Sequence, residues 1–381
     1  MFNRLYLHIP FCREKCHYCA FISRKPRGSE LDDYQALLLK ELQLVSAVDK
    51  PGQPLDSIYF GGGTPSLLSP QQVSRVMEQA AALFSLSPGI EITLEANPGT
   101  VDLNRLRDYR TAGVNRLSLG VQSFDDALLL CLGRVHDADQ ARRAFGDARQ
   151  AGFGNIGIDL IHALPSQTLS QWRSELREAI RLSPEHISVY GLTIEEGTPF
   201  ALRYPEDSPD LPDEEQAVKM FETADNILPA AGYAHYEIAN YARDGYRSQH
   251  NSGYWRRDGY RGLGVAAHSF LRAGYGYRFS NPDTLEEYGS QLLAGRLPRR
   301  DQHHLTRQDA MAEFMFLGLR LAEGVSPERF EHEFGLPLDE IYGAVIAELI
   351  RSNLLQSGQD GLCLTTRGRL LSNQVFTRFL P

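Results

Sequence analysis

Several things are missing from this sequence, and each absence removes a class of protein. No apolar run approaches the roughly 18 residues that cross a bilayer as a helix, so no membrane span is expected. Positive charge is in deficit: 39 lysines and arginines stand against 48 aspartates and glutamates, a formal charge of −9. Phosphate binding needs a clustered positive field, so a general binder of nucleic acid is not expected. Residues 1–11 hold no cationic segment followed by a long apolar one, the mark of a secretory signal, and the expected compartment is the cytoplasm. No internal repeat of the solenoid kind is visible.

Cysteine is scarce as well, with five in 381 residues. A disulfide framework spreads its cysteines over the chain. Here Cys12, Cys16 and Cys19 fall within eight residues, which reads as a metal site. Cys131, in the apolar stretch 128–132, and Cys363, between Leu362 and Leu364, read as small buried hydrophobes.

What is present is ordinary for a globular chain: 42% hydrophobic and 23% charged residues. The length suits one large domain and a smaller one. Short apolar strands alternate with amphipathic helices. Strands are expected over 5–9, 57–60, 91–95, 116–120, 155–161 and 186–190. Helices are expected over 31–48, 70–84, 101–112, 138–151, 169–182 and 214–231. Ser69 serves as an N-cap before Pro70, and Gly113 and Gly152 act as stops. This alternation builds βα units on a parallel sheet. Right-handed crossovers curl six such units into a barrel, full or partial.

Residues 204–212, with three prolines and three acids, read as an exposed loop. Residues 289–304 are the expected domain boundary. Beyond it, helices over 306–322, 327–334 and 338–352 precede a small hairpin over 354–364. That order resembles a winged-helix module, here structural or partner-facing because its third helix has few positive charges. The expected fold is therefore α/β: a partial (β/α)6-type barrel with a C-terminal, mainly helical, winged-helix-like module. The expected division is 1–235 for the barrel, 236–300 for an extension of it and 301–381 for the module.

The cysteines form C-x3-C-x2-C just past the first strand. Thiolates suit iron–sulfur clusters. Three of them hold three irons of a [4Fe–4S] cube and leave the fourth iron open. The alternative is a zinc site completed by His17 or His8, although structural zinc sites usually pair distant CxxC halves. Gly61-Gly62-Gly63-Thr64-Pro65 follows the second strand. Glycines there let backbone approach a ligand and present N–H groups to a carboxylate. Glu95, Gln122, Arg134 and Asp159 stand at or after later strand ends, which converge in a βα barrel.

This cysteine loop resembles that of the radical S-adenosylmethionine superfamily. The resemblance implies that the open iron chelates the amino and carboxylate groups of S-adenosylmethionine, with the glycine run at the amino group. Over nearly its full length the chain resembles the coproporphyrinogen-oxidase-like branch. That resemblance implies cofactor-binding roles for Tyr6, Tyr18, Gly62, Gly63, Thr64, Glu95, Gln122, Arg134 and Asp159. Thr193 and the stretch 262–268 match less closely. The branch can carry two cofactor molecules.

The branch offers two functions. One is an oxygen-independent coproporphyrinogen III dehydrogenase, which decarboxylates propionate side chains by radical chemistry. The other is the HemW-type heme chaperone, a carrier. Three features favour the carrier. Cys19 is followed by Ala20-Phe21, so a further cysteine found in the dehydrogenases is absent. Only eleven residues precede Cys12, where the dehydrogenases have a long segment. And His250-Asn251-Ser252-Gly253-Tyr254-Trp255 matches the H-N-x-x-Y-W motif of the chaperones.

Imidazole is a good axial ligand for heme iron, so His250 is the expected ligand. Tyr254 and Trp255 offer flat faces to a porphyrin, and Arg256 and Arg257 suit its propionates. The plainer alternative is a polar loop with packed aromatics. His268 is a secondary ligand candidate, and His303-His304 reads as a solvated linker pair. The expected cofactors are thus a [4Fe–4S] cluster on Cys12, Cys16 and Cys19, S-adenosylmethionine, and heme. The expected partners are heme and heme-acceptor proteins, and a dimer is compatible. No catalytic residue is assigned.

Overall fold

Residues 1–49, 51–205, 208–358 and 361–381 are described by a computed structural model. Glu206 and Asp207 of the expected 204–212 loop lie outside the described residues. So do Gln359 and Asp360 of the hairpin turn.

Six parallel strands pair in sequence order: β1 (Arg4–Ile9), β2 (Leu55–Gly62), β3 (Leu86–Ala96), β4 (Arg116–Gln122), β5 (Ile156–His162) and β6 (His186–Gly191). The crossovers are α1 (Glu30–Val48), α2 (Pro70–Leu83), α3 (Leu103–Thr111), a short α4 (Asp126–Cys131) with α5 (Ala138–Gln150), and α6 (Leu169–Leu182). Strand side chains alternate between faces. Leu5, Leu7 and Ile9 of β1 are at most 1% exposed and pack with Leu38 and Leu42 of α1 in the main core. Arg4, Tyr6 and His8 take the opposite face. The helices begin where local chemistry starts them. Ser69 accepts from Gln72 N–H, and the Gln72 side chain returns to Ser69 N–H, with Pro70 in the first turn. Asp137 with Gln140 and Thr168 with Gln171 repeat this capping box.

After β6 come α7 (Pro199–Arg203) and α8 (Glu214–Ala230), then β7 (Ala234–Glu237) and β8 (Asn240–Ala242). Next are α9 (Gln249–Trp255), β9 (Tyr260–Leu263), β10 (His268–Leu271), β11 (Tyr277–Ser280), α10 (Leu285–Leu293) and β12 (Arg300–His304). The sheet order is β12-β11-β10-β9-β1-β2-β3-β4-β5-β6-β8-β7. β9 runs parallel to β1, and the outer strands are antiparallel. The sheet keeps two edges, so the barrel is partial, in line with the expected fold class. Among the described residues no helix is long and apolar enough to cross a membrane.

The remaining chain forms α11 (Arg307–Gly318), α12 (Pro327–Phe334), α13 (Leu338–Arg351), the hairpin β13 (Leu355–Ser357) with β14 (Leu362–Leu364), α14 (Thr366–Leu370) and α15 (Ser372–Thr377). It has its own core, in which Phe314, Phe330 and Phe334 meet with ring centroids 4.8–5.6 Å apart.

The expected boundary, residues 289–304, is not an unstructured stretch. Gly289 lies inside α10, facing Leu37 of α1, and 300–304 form β12. Gly295, at φ +72°, ends α10 rather than opening a hinge. Cys131 is not a plain buried hydrophobe either. It closes α4 half-buried, its Sγ 3.3 Å from the Tyr204 hydroxyl. Cys363 is buried in β14, as expected.

A buried charge pair ties β9 to α1. Glu41 of α1 and Arg261 of β9 are both fully buried, 3.4 Å apart. Glu41 also accepts from Gly264 N–H (2.8 Å), Asn281 Nδ2 (2.8 Å) and Tyr288 Oη (2.7 Å). Removing one partner strands the other charge in low dielectric. Glu41→Ala is expected to destabilise the protein by about 3–5 kcal/mol in urea unfolding. A loss under about 1 kcal/mol would show that the pair is not what holds this seam.

Candidate functional site

The parallel pairing of β1 with β2 continues past both strand ends. Gly63 N–H donates to Ile9 O at 2.9 Å and Thr64 N–H to Phe11 O at 2.7 Å. The chain then doubles back: Arg24 N–H reaches Pro10 O and Cys12 N–H reaches Arg24 O, each at 3.0 Å. Those bonds close the loop that carries the three cysteines and press it against the glycine run. A Cβ on Gly63 would lie 2.7 Å from Phe11 O and 3.0 Å from Cys12 Sγ, so only glycine fits. Thr64 Oγ1 donates to Cys12 Sγ at 3.4 Å, and Arg134 Nη1 donates to Cys16 Sγ at 3.3 Å.

These groups open on a cavity of about 580 Å³ at the C-terminal ends of the strands. Cys12, Cys16 and Cys19 line it. So do nine of the ten expected cofactor residues: Tyr18, Gly62, Gly63, Thr64, Glu95, Gln122, Arg134, Asp159 and Thr193. Gln122 takes a left-handed backbone, φ +70°, at a register shift between β4 and β5.

The wall carries two carboxylates. Glu95 accepts from Tyr59 Oη at 2.8 Å and from Gly62 N–H at 3.1 Å. Burial pushes its carboxyl up to about 7, although the Tyr59 hydrogen bond pulls it back. Burial also raises Asp159, which Ser188, Arg116 and Ser118 counter. Burial opposes the charge of Arg134, but the neighbouring Cys16 and Tyr18 outweigh it and hold the guanidinium above its ordinary pKa. Burial pushes the Cys19 thiol up.

The donor set fits an iron–sulfur cube and a cationic, polar cofactor. Gln122 Oε1 and Arg134 Nε are buried on the cavity wall without a hydrogen-bond partner, leaving an acceptor and a donor for a ligand. The zinc alternative needs a histidine beside the three cysteines, and neither His17 nor His8 lines their cavity. His17 Nδ1 faces Cys131 O at 2.9 Å, and His8 faces Tyr6 Oη at 3.1 Å and Ile22 O at 3.5 Å. Among the described residues no three side chains of His, Cys, Asp or Glu are placed to hold a single ion. A cube takes one thiolate per iron and asks for wider spacing.

Other expected residues lie elsewhere. Tyr6 faces the barrel interior beneath Gly61 and does not line the cavity. His250 does not line it either. It lies in α9, is 1% exposed, and has Nδ1 2.7 Å from Ser57 Oγ and Nε2 2.7 Å from Tyr254 Oη. Arg256 and Arg257 are not free for propionates: Arg256 pairs with Glu323, and Arg257 with Glu313 and Glu333. The Trp255 ring lies under the Arg320 guanidinium at 4.2 Å. In the stretch 262–268, Gly264 packs on Tyr34 and His8 O, and His268 is exposed at the start of β10. His303 and His304 are exposed, but in the strand β12 rather than a linker.

Sequence reading passed over Ser118, Tyr190 and Asn97 on the cavity wall, and Tyr59 and Arg116 beneath it. A signal existed. Arg116, Ser118 and Gly120 alternate with Leu117, Leu119 and Val121, each 0% exposed, so the polar set must face inward. Gly63→Ala is expected to displace Cys12 and lose most of the iron taken up on anaerobic reconstitution. Full iron uptake by the variant would show that this close contact is dispensable.

The chain matches the Radical SAM superfamily over residues 6–179 and the HemN C-terminal domain over residues 305–371. The heme chaperone HemW of Bacillus subtilis is 37% identical, covering 98% of this chain and 98% of that protein. The heme chaperone HemW of Escherichia coli is 38% identical, covering 99% of this chain and 97% of that protein. Among solved structures, coproporphyrinogen III oxidase (HemN) from Escherichia coli, described as a radical SAM enzyme, superposes with a TM-score of 0.85 at 25% identity. That match covers 99% of this chain and 90% of that one. A cysteine loop clasped by a glycine run at the mouth of a partial barrel, with likeness along the whole chain, leads to one assignment: the protein belongs to the radical SAM superfamily, in the HemW family of heme chaperones.

Proposed function

We propose that this protein is a heme carrier. It holds a [4Fe–4S] cluster on Cys12, Cys16 and Cys19, binds S-adenosylmethionine beside it, and passes heme to acceptor proteins. The observation that carries the cofactor half is the convergence of the three cysteines with Glu95, Gln122, Arg134 and Asp159 on one cavity. Likeness to heme chaperones along the whole chain supports the heme half. A bound cluster supplies an open iron to the amino and carboxylate groups of the cofactor. The protein's own residues do the rest. Arg134 and Thr64 donate to the thiolates of Cys16 and Cys12, Glu95 and Asp159 oppose the cationic groups of the cofactor, and Gln122 Oε1 accepts from it.

His250 is proposed as the heme-iron ligand in an opened state of α9. Opening breaks its bond to Ser57, and the imidazole must also turn away from Tyr254, four residues on in the same helix, at a net cost of about 1 kcal/mol each. The chain is proposed to divide as barrel (1–235), extension (236–300) and C-terminal module (301–381).

A second reading is favoured by the likeness to HemN: coproporphyrinogen III dehydrogenase activity. The Ala20-Phe21 sequence after Cys19 speaks against it.

Alanine at Cys12, Cys16 or Cys19 is expected to abolish cluster assembly, read as iron and sulfide content after anaerobic reconstitution. Heme titrated into wild type is expected to shift the Soret band, and His250→Ala to weaken or remove that shift. Equal spectra and affinity in the variant would take His250 out of the heme site. Anaerobic assay with coproporphyrinogen III is expected to give no product, and robust protoporphyrinogen formation would promote the second reading.

A further inference from the structure

Tyr59 lies one layer beneath the cavity, on β2, two residues before Gly61, and is not among the residues that line it. Its hydroxyl donates to Glu95 Oε1 at 2.8 Å, while Gly62 N–H donates to Glu95 Oε2 at 3.1 Å. One strand thus holds both oxygens of a carboxylate that belongs to its neighbour β3. The Tyr59 ring has little freedom. It is 8% exposed, stacks on Tyr6 at 6.1 Å and lies 4.9 Å from the His250 ring. Gly61 closes over it, where a Cβ would come within 2.9 Å of the ring.

We propose that Tyr59 is a positioning residue of the cofactor site: its fixed hydroxyl holds the Glu95 carboxylate and aims it at S-adenosylmethionine. This role rests on the cavity being the S-adenosylmethionine site.

Besides Tyr59, the groups around Glu95 are Tyr6 on β1, Arg116 on β4, Asp159 on β5, Tyr190 on β6 and Tyr254 on α9. Burial works against the charge of Glu95 and Asp159 adds to that, while Tyr59, Gly62 N–H and Arg116 favour it. A sulfonium cofactor with an amino group binds a carboxylate better than a neutral acid. With its pKa raised to about 7, Glu95 is partly protonated at neutral pH. Removing the Tyr59 hydroxyl takes away a stabiliser of the ionised form and moves the titration to higher pH. The loss of affinity is therefore largest at and below neutral pH and fades as pH rises.

The test is S-adenosylmethionine binding by equilibrium dialysis on the full chain, anaerobically reconstituted, from about pH 6 to about pH 8.5. Tyr59→Phe is expected to weaken binding about fivefold near pH 7 and less than about twofold near pH 8.5, for a shift of about one pH unit. Glu95→Gln is expected to flatten the wild-type profile, and Tyr59→Phe in that background to add no pH-dependent change. A Tyr59→Phe profile that overlays wild type, or an effect that persists unchanged beside Gln at position 95, would overturn the role of Tyr59. Wild type that carries its cluster yet binds no S-adenosylmethionine at any pH would overturn the cavity assignment itself.

Discussion

Everything at the open end of this barrel depends on two backbone hydrogen bonds beyond the last paired residues of β1 and β2. Gly63 N–H to Ile9 O and Thr64 N–H to Phe11 O extend the parallel ladder into what would otherwise be two independent loops. They bring Cys12 against the glycine run so closely that no side chain fits at position 63. The cysteine loop and the glycine loop are therefore one structural unit, although some fifty residues separate them in the chain. In a parallel sheet such neighbours are always remote in sequence, because the crossover helix lies between them.

The barrel interior obeys a second constraint. Strands buried on both faces usually read as continuous apolar runs, but these strands alternate. Their outward residues pack on helices, and their inward residues are polar: Arg4, Ser57, Glu91, Arg116, Asp159 and His186. At one end of the interior α9 acts as a plug. The Glu91 carboxylate accepts the N–H groups of Gln249 and His250 at 3.0 Å each, which places an anion at the helix start. Arg116 stands 4.0 Å from the same carboxylate. The motif singled out for heme is thus also part of the barrel's closure, and any ligand that takes its histidine must first compete with Ser57 and Tyr254.

The C-terminal module is tied to the barrel through the same region. Arg256 and Arg257, directly after α9, pair with Glu323, Glu313 and Glu333, and Arg369 pairs with Asp225 of α8. Arg257 is nearly fully buried, so its pairs are structural. These pairs fix the chain just past the end of α9 to the module.

The sequence by itself determined the order and kind of the main elements. A cap such as Ser69, a stop such as Gly152 and an apolar period act within a few residues, so they can be read locally. It also determined the ligand chemistry of the cysteine loop, since the three thiols lie within eight residues. Only the tertiary structure decided which distant residues share a wall. It set Glu95, Gln122, Arg134 and Asp159 around one cavity, turned Tyr6 beneath it, and closed His250 between Ser57 and Tyr254. It made the Gly295 region a helix end and an edge strand. The physical reason is one of range: burial and hydrogen-bond partners are properties of neighbours in space, and a parallel sheet draws those neighbours from opposite ends of the chain.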